Sequence, residues 1–274
     1  MFCGAVEYWG VSMSNIMYVV GDGFVNFSKT VGVVRISDFE EMISLPRIGK
    51  ATNGFYIIGQ GISEERIKKI KQRLQDSKIN DIFIKDNFCE KEQNQFVHKT
   101  LRENVMISQP KVIRDGLFVS RLMIDDRCAE MSDHLTGQHV QGVVLIEAAR
   151  QMGLSVSEHF FLSNEERFKR YFVLNNLDVQ FQQFVFPLEV EMRCIVLEHK
   201  NLGEENFTIK YAIEFVQNNI SCTRIIIGLM ADAKAKLEAK EARLADFNLK
   251  CACLTEEANL AHFLHGDQRV QEIC

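Results

Sequence analysis

Several features that mark particular classes of protein are missing from this 274-residue sequence. It has no basic run, because its 32 basic and 37 acidic residues are well mixed and give a net charge of -5. We therefore expect neither nucleic acid nor an anionic membrane surface as a partner. Near the most apolar helical segment, the longest purely apolar run is Val143 to Ile146, far too short to cross a bilayer.

Signals for secretion and for metal binding are missing as well. The first twenty residues are apolar but contain Glu7, and no Lys or Arg precedes Lys29, unlike a signal peptide. The eight cysteines form no CxxC pair, and Cys251 and Cys253 have no His or Cys partners at ligand spacing. The sequence therefore predicts a cytoplasmic protein with reduced, mostly packed thiols and no metal site.

The familiar signatures of catalysis and nucleotide binding are also absent. There is no Gly-x-Ser-x-Gly elbow and no His-Glu-x-x-His zinc helix. Gly59-Gln60-Gly61 invites a phosphate-loop interpretation, but a third glycine and a following lysine are missing. We interpret it as a plain strand-to-helix turn, and we predict no cofactor.

Residues 1–88 predict a small α/β domain whose role the sequence does not indicate. Two strand-like runs within residues 15–27 flank Gly21-Asp22-Gly23, a pattern typical of a hairpin. Ser37 and Glu40 fit a capping box that opens a short helix.

Strand, helix and strand are then predicted for residues 54–86. Ile67, Ile70 and Leu74 fall on one helical stripe, with Lys and Arg opposite. The polar stretch 87–95 is typical of a linker.

Residues 96–235 predict a second domain with a different order of elements. Two strand-like runs meet at Arg114-Asp115-Gly116, and after an irregular stretch comes the apolar helix in "DHLTGQHVQGVVLIEAARQMG", residues 133–153. Four long strand-like runs follow. A helix that is apolar on most sides needs cover on most sides, which a curved antiparallel sheet provides. We therefore predict an α+β chain containing a hotdog fold, with a helical tail over 236–274.

The apolar helix carries a narrow polar stripe. If it starts at Gly142, then Glu147, Arg150 and Gln151 lie on one face. One interpretation is a structural Glu–Arg pair at an interface. The other is functional, with Glu147 as general acid or base and Arg150 as a clamp for an anion or carbonyl.

The loop that leads into the helix favours the functional interpretation. His134 and His139 lie in that loop and are further catalytic candidates, although loop histidines are often only structural. Free N–H groups near Gly142 and Val143 would bind a substrate carbonyl and stabilise an oxyanion, with Gln151 as a further substrate-binding residue.

The segment "DHLTGQHVQGVVLIEAARQ" resembles the signature of the A-factor biosynthesis (AfsA-type) hotdog family. A weaker similarity lies upstream in "VHKTLRENVMI", residues 97–107, and the resemblance covers about residues 95–235. It implies an acyltransferase that joins a β-ketoacyl chain, carried on coenzyme A or acyl carrier protein, to a small hydroxylated acceptor such as dihydroxyacetone phosphate. The family's Glu and Arg fall on Glu147 and Arg150.

Two departures from the family pattern bear on this expectation. Residues 1–88 contain no second Glu-x-x-Arg helix, which suggests one hotdog per chain and a homodimer. The family's proline before the helix glycine is Gln141 here. The helix is also similar to that of β-hydroxyacyl carrier-protein dehydratases, so a dehydratase or thioesterase stays open. So does a non-catalytic acyl-binding or assembly protein.

Overall fold

The computed structural model describes residues 16–44, 54–76, 82–85, 90–132, 137–203 and 206–268. In its amino-terminal part, four parallel strands form a small sheet in the order β2-β1-β3-β4. Two helices accompany them. The elements are β1 (Ile16–Val20), β2 (Val33–Arg35), α1 (Ile36–Met42), β3 (Gly54–Ile58), α2 (Glu64–Asp76) and β4 (Ile82–Lys85).

The strand, helix and strand predicted over 54–86 are confirmed, but the hairpin around Gly21-Asp22-Gly23 is wrong. The chain does not turn back after β1, which instead pairs in parallel with β2 and β3. Gly21 is needed for a close approach, because a Cβ there would lie 1.8 Å from the carbonyl oxygen of Gly61.

The predicted capping box at Ser37 is also wrong. Helix α1 starts at Ile36, and its N-cap residue makes no side-chain hydrogen bond to the helix. The carboxylate of Asp22 accepts hydrogen bonds from the Ser37 backbone N–H, at 3.1 Å, and from the Ser37 hydroxyl, at 2.5 Å. A side chain distant in sequence therefore caps this helix, which a local pattern could not reveal.

The interpretation of Gly59-Gln60-Gly61 as a plain strand-to-helix turn is confirmed. The backbone N–H of Gln60 donates to the carbonyl of Pro187, and that of Gly61 donates to the carbonyl of Ile124. N–H groups that would cradle a phosphate are thus already bonded to protein. The buried Gln60 side chain also bonds the backbone of Leu122 and Ile124, so this turn fixes the small sheet to the rest of the chain.

The larger part of the chain is a six-stranded antiparallel sheet in the order β5-β6-β8-β9-β10-β7. Its six strands, numbered along the chain, are β5 (Lys111–Arg114), β6 (Leu117–Arg121), β7 (Arg170–Phe181), β8 (Glu191–Gly203), β9 (Asn206–Gln217) and β10 (Ile220–Ala233). Between β6 and β7 lie the short α3 (Ala129–Ser132) and the long α4 (Gly142–Phe160). The sheet packs around α4, so the predicted α+β hotdog fold is confirmed.

The four long strands do not form one continuous meander. Strands β8, β9 and β10 follow each other, but β7 pairs with β10 at the edge of the sheet. The reason is that residues 182–190 cross the sheet before β8 begins, instead of turning straight back.

Helix α4 lies very close to this sheet. A Cβ at Gly153 would come within 2.5 Å of Ile227 Cδ1, so a larger residue there would force the packed Ile227 side chain to shift. The helix is buried on most sides, as the apolar sequence predicts, with twelve of its nineteen residues buried.

The chain ends in the 35-residue helix α5 (Lys234–Gln268). From residue 238 to 260 its side chains are exposed, including Leu244, Phe247 and Leu254. No helix in the described part of the chain is long and apolar enough to cross a membrane.

Candidate functional site on the central helix

The polar stripe of α4 forms a tight cluster around Glu147. Arg150 donates to both carboxylate oxygens, with Nε to Oε2 at 2.8 Å and Nη2 to Oε1 at 2.7 Å. Gln151 Nε2 donates to Oε1 at 2.9 Å, and Lys99 Nζ lies 3.0 Å from the same oxygen. Two cations and an amide therefore surround this carboxylate, whose side chain is only 16% exposed.

The cluster also joins the two segments that carry the family resemblance. Lys99 belongs to the "VHK" stretch upstream and reaches Glu147 and Glu130. The buried Gln151 accepts from the Met106 N–H and donates to the Asn104 carbonyl, each at 2.8 Å. The upstream segment is thereby held along α4 by side chains of the helix motif.

These contacts set the charge state of Glu147. Burial alone would raise its pKa, but the hydrogen bonds and charge of Arg150, with further bonds from Gln151 and Lys99, lower the pKa to about 2. A carboxylate held in this way is a weak proton acceptor at neutral pH. It can orient Arg150 and Lys99, whose charges suit an anionic group.

Further along α4, a second polar cluster was missed by sequence reasoning. The expected linker is not a linker in its described part, because Lys91 and Glu92 are 4% and 2% exposed. Glu92 Oε2 accepts from Ser155 Oγ at 2.5 Å and lies 2.9 Å from His159 Nε2. Burial raises the pKa of Glu92, but the bonds from His159 and Ser155 outweigh it and lower the pKa.

Upstream residues also contact this end of the helix. His98 Nε2 lies 3.0 Å from an oxygen of the fully buried Glu158, and the ring of Phe96 stacks on His159 at 3.7 Å. These polar residues of α4 are spaced three and four positions apart, which predicts that they share one face of the helix. The sequence did not indicate which residues of the chain contact that face.

A pocket lies at the other end of α4, at its amino terminus. Its volume is about 660 Å³. The wall is mainly apolar, with glutamines and His139 at intervals. The lining residues are His139, Val140, Gly142, Leu145, Phe181, Gln182, Gln183, Phe184, Val185, Phe186 and Thr223.

The amino terminus of α4 at this pocket lacks a side-chain cap. Its N-cap residue, Gln141, has extended backbone angles but makes no side-chain hydrogen bond to the helix. The first N–H groups of a helix have no partner within the helix, so they carry positive partial charge. Phe181 closes over this point, since a Cβ on Gly142 would meet its ring at 2.7 Å.

The structure distributes the predicted site residues over two places. His139 and Gly142 line the pocket, with the His139 ring 4.5 Å from that of Phe184. At 3.6 residues per turn, Glu147 lies about 140° around the helix from Gly142 and about 160° from Leu145. Arg150 and Gln151 bind Glu147 and are not among the lining residues either.

Two other predicted residues are placed differently. Val143 is 53% exposed and does not line the pocket. His134 lies outside the described residues. The roles predicted for these residues remain predictions.

Two further observations concern metal and thiol chemistry. Among the residues that the structure describes, no group of three or more His, Cys, Asp and Glu side chains could hold a metal ion. Cys128, Cys194 and Cys222 are buried free thiols, and burial raises the pKa of Cys128 to about 11. A thiol with such a pKa is a poor nucleophile at neutral pH.

Comparison with known protein families shows the family of this chain. The A-factor biosynthesis hotdog domain matches residues 84–231, more than half of the chain. The chain belongs to the AfsA hotdog family. The match includes both the upstream "VHK" segment and the Glu147–Arg150 helix. No curated protein matches the chain.

Solved structures with a similar fold include several thioesterases. One from Haemophilus influenzae is 16% identical, with a TM-score of 0.38, covering 51% of this chain and 87% of its own. A thioesterase mutant from Pseudomonas aeruginosa is 12% identical, with a TM-score of 0.35, covering 46% and 81%. A hypothetical thioesterase with coenzyme A from Streptococcus pneumoniae is 11% identical, with a TM-score of 0.33, covering 45% and 84%.

Proposed function

We propose that this AfsA-family protein acts on acyl thioesters and transfers the acyl chain to a small hydroxylated acceptor. The observation that carries the proposal is the largely apolar pocket at the uncapped amino terminus of α4. An apolar cavity of this size accommodates an acyl chain. Family membership supports the thioester as the chemical class of the donor, carried on coenzyme A or acyl carrier protein.

The proposed reaction uses groups at the pocket. The acceptor hydroxyl gives its proton to His139 as its oxygen attacks the thioester carbonyl carbon. The N–H groups near Gly142 stabilise the negative oxygen of the tetrahedral intermediate. The carbon–sulfur bond then breaks, and the leaving thiolate takes the proton back from His139, which yields an ester and a free thiol.

Arg150 and Lys99 are proposed to bind the anionic group of the acceptor, with Glu147 holding them in place. This differs from a role for Glu147 as general base, because its low pKa and its position around the helix do not favour proton transfer at the pocket. A homodimer would be required to bring such an anion site beside the pocket of a second copy. The long β7 edge, with Leu174 and Leu177 exposed, supports such pairing.

The test is to incubate the purified protein with a β-ketoacyl thioester and dihydroxyacetone phosphate, and to detect the ester by mass spectrometry. We expect ester with wild type and a large loss with His139→Ala. Replacement of His199 by Ala, outside the pocket lining, serves as the control. Free thiol without acceptor would indicate a thioesterase, and an enoyl product from a β-hydroxyacyl thioester would indicate a dehydratase. Turnover of none of these substrates would contradict the proposal.

A second candidate function is a non-catalytic acyl-binding protein. It is favoured by the way in which Arg150, Gln151 and Lys99 hold Glu147. In that case acyl chains would bind in the pocket with no product from any substrate, and Arg150→Ala would lower stability or disrupt the homodimer.

A further inference from the structure

A second pocket lies near the carboxy terminus of α4 and shares no lining residue with the pocket at the amino terminus. Its volume is about 490 Å³, which accommodates a small organic molecule. Three aromatic and three basic side chains make up most of its wall, and no acidic residue is among its described lining. They are Phe168, Tyr171, Phe172, His98, Arg170 and Lys234. The two pockets are separate, because Gly142 and Glu158 lie about 24 Å apart along the axis of α4.

Two of the basic side chains are held by carboxylates that do not line the pocket. Arg170 Nη2 donates to Glu166 Oε2 at 2.7 Å, and Lys234 Nζ lies 3.8 Å from Glu238 Oε1. Arg170 is nine-tenths buried, and its only other hydrogen bond runs from Nη1 to Asn206 Oδ1 at 2.7 Å. Its Nε has no partner in the described part of the chain. A guanidinium fixed in this way keeps donors available for an anion.

The third basic side chain, His98, is also held by an acid outside the lining. Its Nε2 lies 3.0 Å from Oε1 of the fully buried Glu158, and Oε2 accepts the Phe168 N–H at 3.0 Å. Because a carboxylate accepts hydrogen bonds, Nε2 carries the proton, and Nδ1 of the neutral ring carries a lone pair. Nδ1 makes no hydrogen bond to any described residue, and the side chain is 33% exposed. It is therefore an oriented acceptor at the pocket wall.

The backbone at this pocket is held in an uncommon conformation. His98 and Phe168 have positive φ angles of 53° and 65°. The other described non-glycine residues with positive φ are Asn218 and Asn219, which form the turn between β9 and β10. Left-handed backbone suits asparagine in a turn, whereas it costs energy for a phenylalanine. Glu158 bonds both His98 and Phe168, so one buried carboxylate fixes two residues of the pocket wall.

We propose that this pocket binds a small organic anion whose apolar ring carries a hydroxyl group. Arg170 and Lys234 bind the anionic group, and the three aromatic side chains of the wall pack against the ring. Nδ1 of His98 accepts a hydrogen bond from the hydroxyl. The carboxylates behind the three bases hold them in position before the ligand arrives. This site goes beyond the proposed acyl transfer and does not depend on it.

Four small probes measure the contribution of each group to binding. Benzoate and benzyl alcohol differ in charge, 3-hydroxybenzoate adds a hydroxyl to benzoate, and phenyl phosphate carries a phosphate in place of the carboxylate. Isothermal titration calorimetry on the full chain gives the dissociation constants. We expect benzoate to bind about tenfold more tightly than benzyl alcohol, and 3-hydroxybenzoate about fivefold more tightly than benzoate. The tighter of benzoate and phenyl phosphate identifies the preferred anion, and either preference supports the inference.

Two variants test the anion-binding groups. Lys234→Gln and Arg170→Gln should each lower the preference for benzoate over benzyl alcohol several-fold, because each removes a positive charge from the wall. Lys234 is 63% exposed, so its replacement keeps the test decisive if Arg170→Gln does not fold. Lys240→Gln removes an exposed charge from the same helix, α5, and should leave the preference unchanged.

His98→Gln tests the acceptor nitrogen. A glutamine amide can still donate to Glu158 from near the position of Nε2, but it has no atom equivalent to Nδ1. The variant should therefore lose the preference for 3-hydroxybenzoate over benzoate and retain the preference for benzoate over benzyl alcohol. His199→Gln, at an exposed position outside this pocket, should change neither preference.

Three results would overturn the inference. The first is no measurable binding of any anionic probe by wild type. The second is a charge preference that both Lys234→Gln and Arg170→Gln retain, because the anion would then bind elsewhere. The third is a preference for the hydroxyl that survives in His98→Gln, because His98 would then serve only to bond Glu158.

Discussion

The two sides of helix α4 differ in how their polar groups are satisfied. On one side, Glu147 is bound by Arg150, Gln151 and Lys99, and every contact is between 2.7 and 3.0 Å. At the start of the helix, the side chains of Gln141 and Thr223 have no hydrogen-bond partners, and Thr223 lines a cavity.

On the Glu147 side the polar side chains bond one another, whereas the Thr223 hydroxyl at the pocket has no hydrogen-bond partner in the protein. The Glu147 cluster joins α4 to the segment 97–107, and its carboxylate has little hydrogen-bonding capacity left. The pocket side leaves hydrogen-bond donors, acceptors and apolar surface without partners in the protein, which lowers the stability of the fold. The sequence motif contains the residues of the first side, whereas the pocket of the second side is visible only in the structure.

Gln151→Leu is expected to have the largest effect on stability, because it removes contacts from the bonded side of α4. Gln151 is fully buried and bonds the Met106 N–H, the Asn104 carbonyl and Glu147. Its loss leaves buried backbone groups unpaired, so we expect the free energy of unfolding to fall by about 3 kcal/mol. Urea denaturation measures this, with Gln72→Leu as the matched control. A loss below about 1 kcal/mol would show that the contacts of Gln151 contribute little to the stability of the fold.

Glu147→Gln should have the next largest effect, and the effect should depend on pH. The folded pKa of Glu147, about 2, lies below its ordinary value of 4.5. Its stabilisation is therefore fully present above pH 4.5 and is lost as pH falls towards 2. We expect a cost of about 2 kcal/mol at pH 7, since the pair is partly exposed.

The measurement for Glu147 is urea unfolding of wild type and variant between pH 7 and pH 3. The difference between them should shrink below pH 4.5. A difference that stays constant across this range would contradict the assigned charge state. Glu165→Gln, at an exposed position after α4, controls for general effects of acid.

Phe184→Ala tests whether the wall of the pocket binds apolar ligands while contributing little to stability. Phe184 is 66% exposed, lines the pocket and contacts the ring of His139. Because little of it is buried, we expect stability to change by less than about 0.5 kcal/mol. Binding of an apolar fluorescent probe should weaken several-fold, whereas Phe263→Ala on the exposed α5 should leave binding unchanged. Equal probe binding by both variants would argue against the pocket as the apolar site.

A small change in stability, in either direction, is expected for Gly142→Ala. The added Cβ meets the Phe181 ring at 2.7 Å, but that ring is 57% exposed and can move. Alanine also favours the helix, so we expect a change in either direction of less than about 1 kcal/mol. Calorimetric Tm measures it. A larger loss would mean that Phe181 is fixed over the helix terminus. Gly153→Ala provides the contrast, since its Cβ would press on the packed Ile227.

Much of the fold follows from patterns in the sequence. The strong apolar character of α4, the four long strand-like runs and the helical stripe of α2 all predicted the elements that form. The errors were at Gly21-Asp22-Gly23, Ser37 and the supposed linker. In each case a contact distant in sequence decides the local structure. Asp22 caps α1, and Glu92 is buried against Ser155 and His159.

The candidate site was predictable only in part, for a similar reason. Spacing along a helix places Glu147, Arg150 and Gln151 together, because residues three and four apart share a face. Spacing does not reveal that Lys99 completes the cluster, nor that Phe181 and Thr223 come from two strands to form the pocket with Gly142.

By itself, the sequence determined the family, the central apolar helix and the pairing of its acid with its arginine. These depend on local periodicity and on a contiguous motif, which are physical properties of one segment. Only the tertiary structure decided which side of that helix is saturated and which is open. Satisfaction of a buried polar group depends on the atoms that the rest of the chain brings within 3 Å, and no local pattern encodes them.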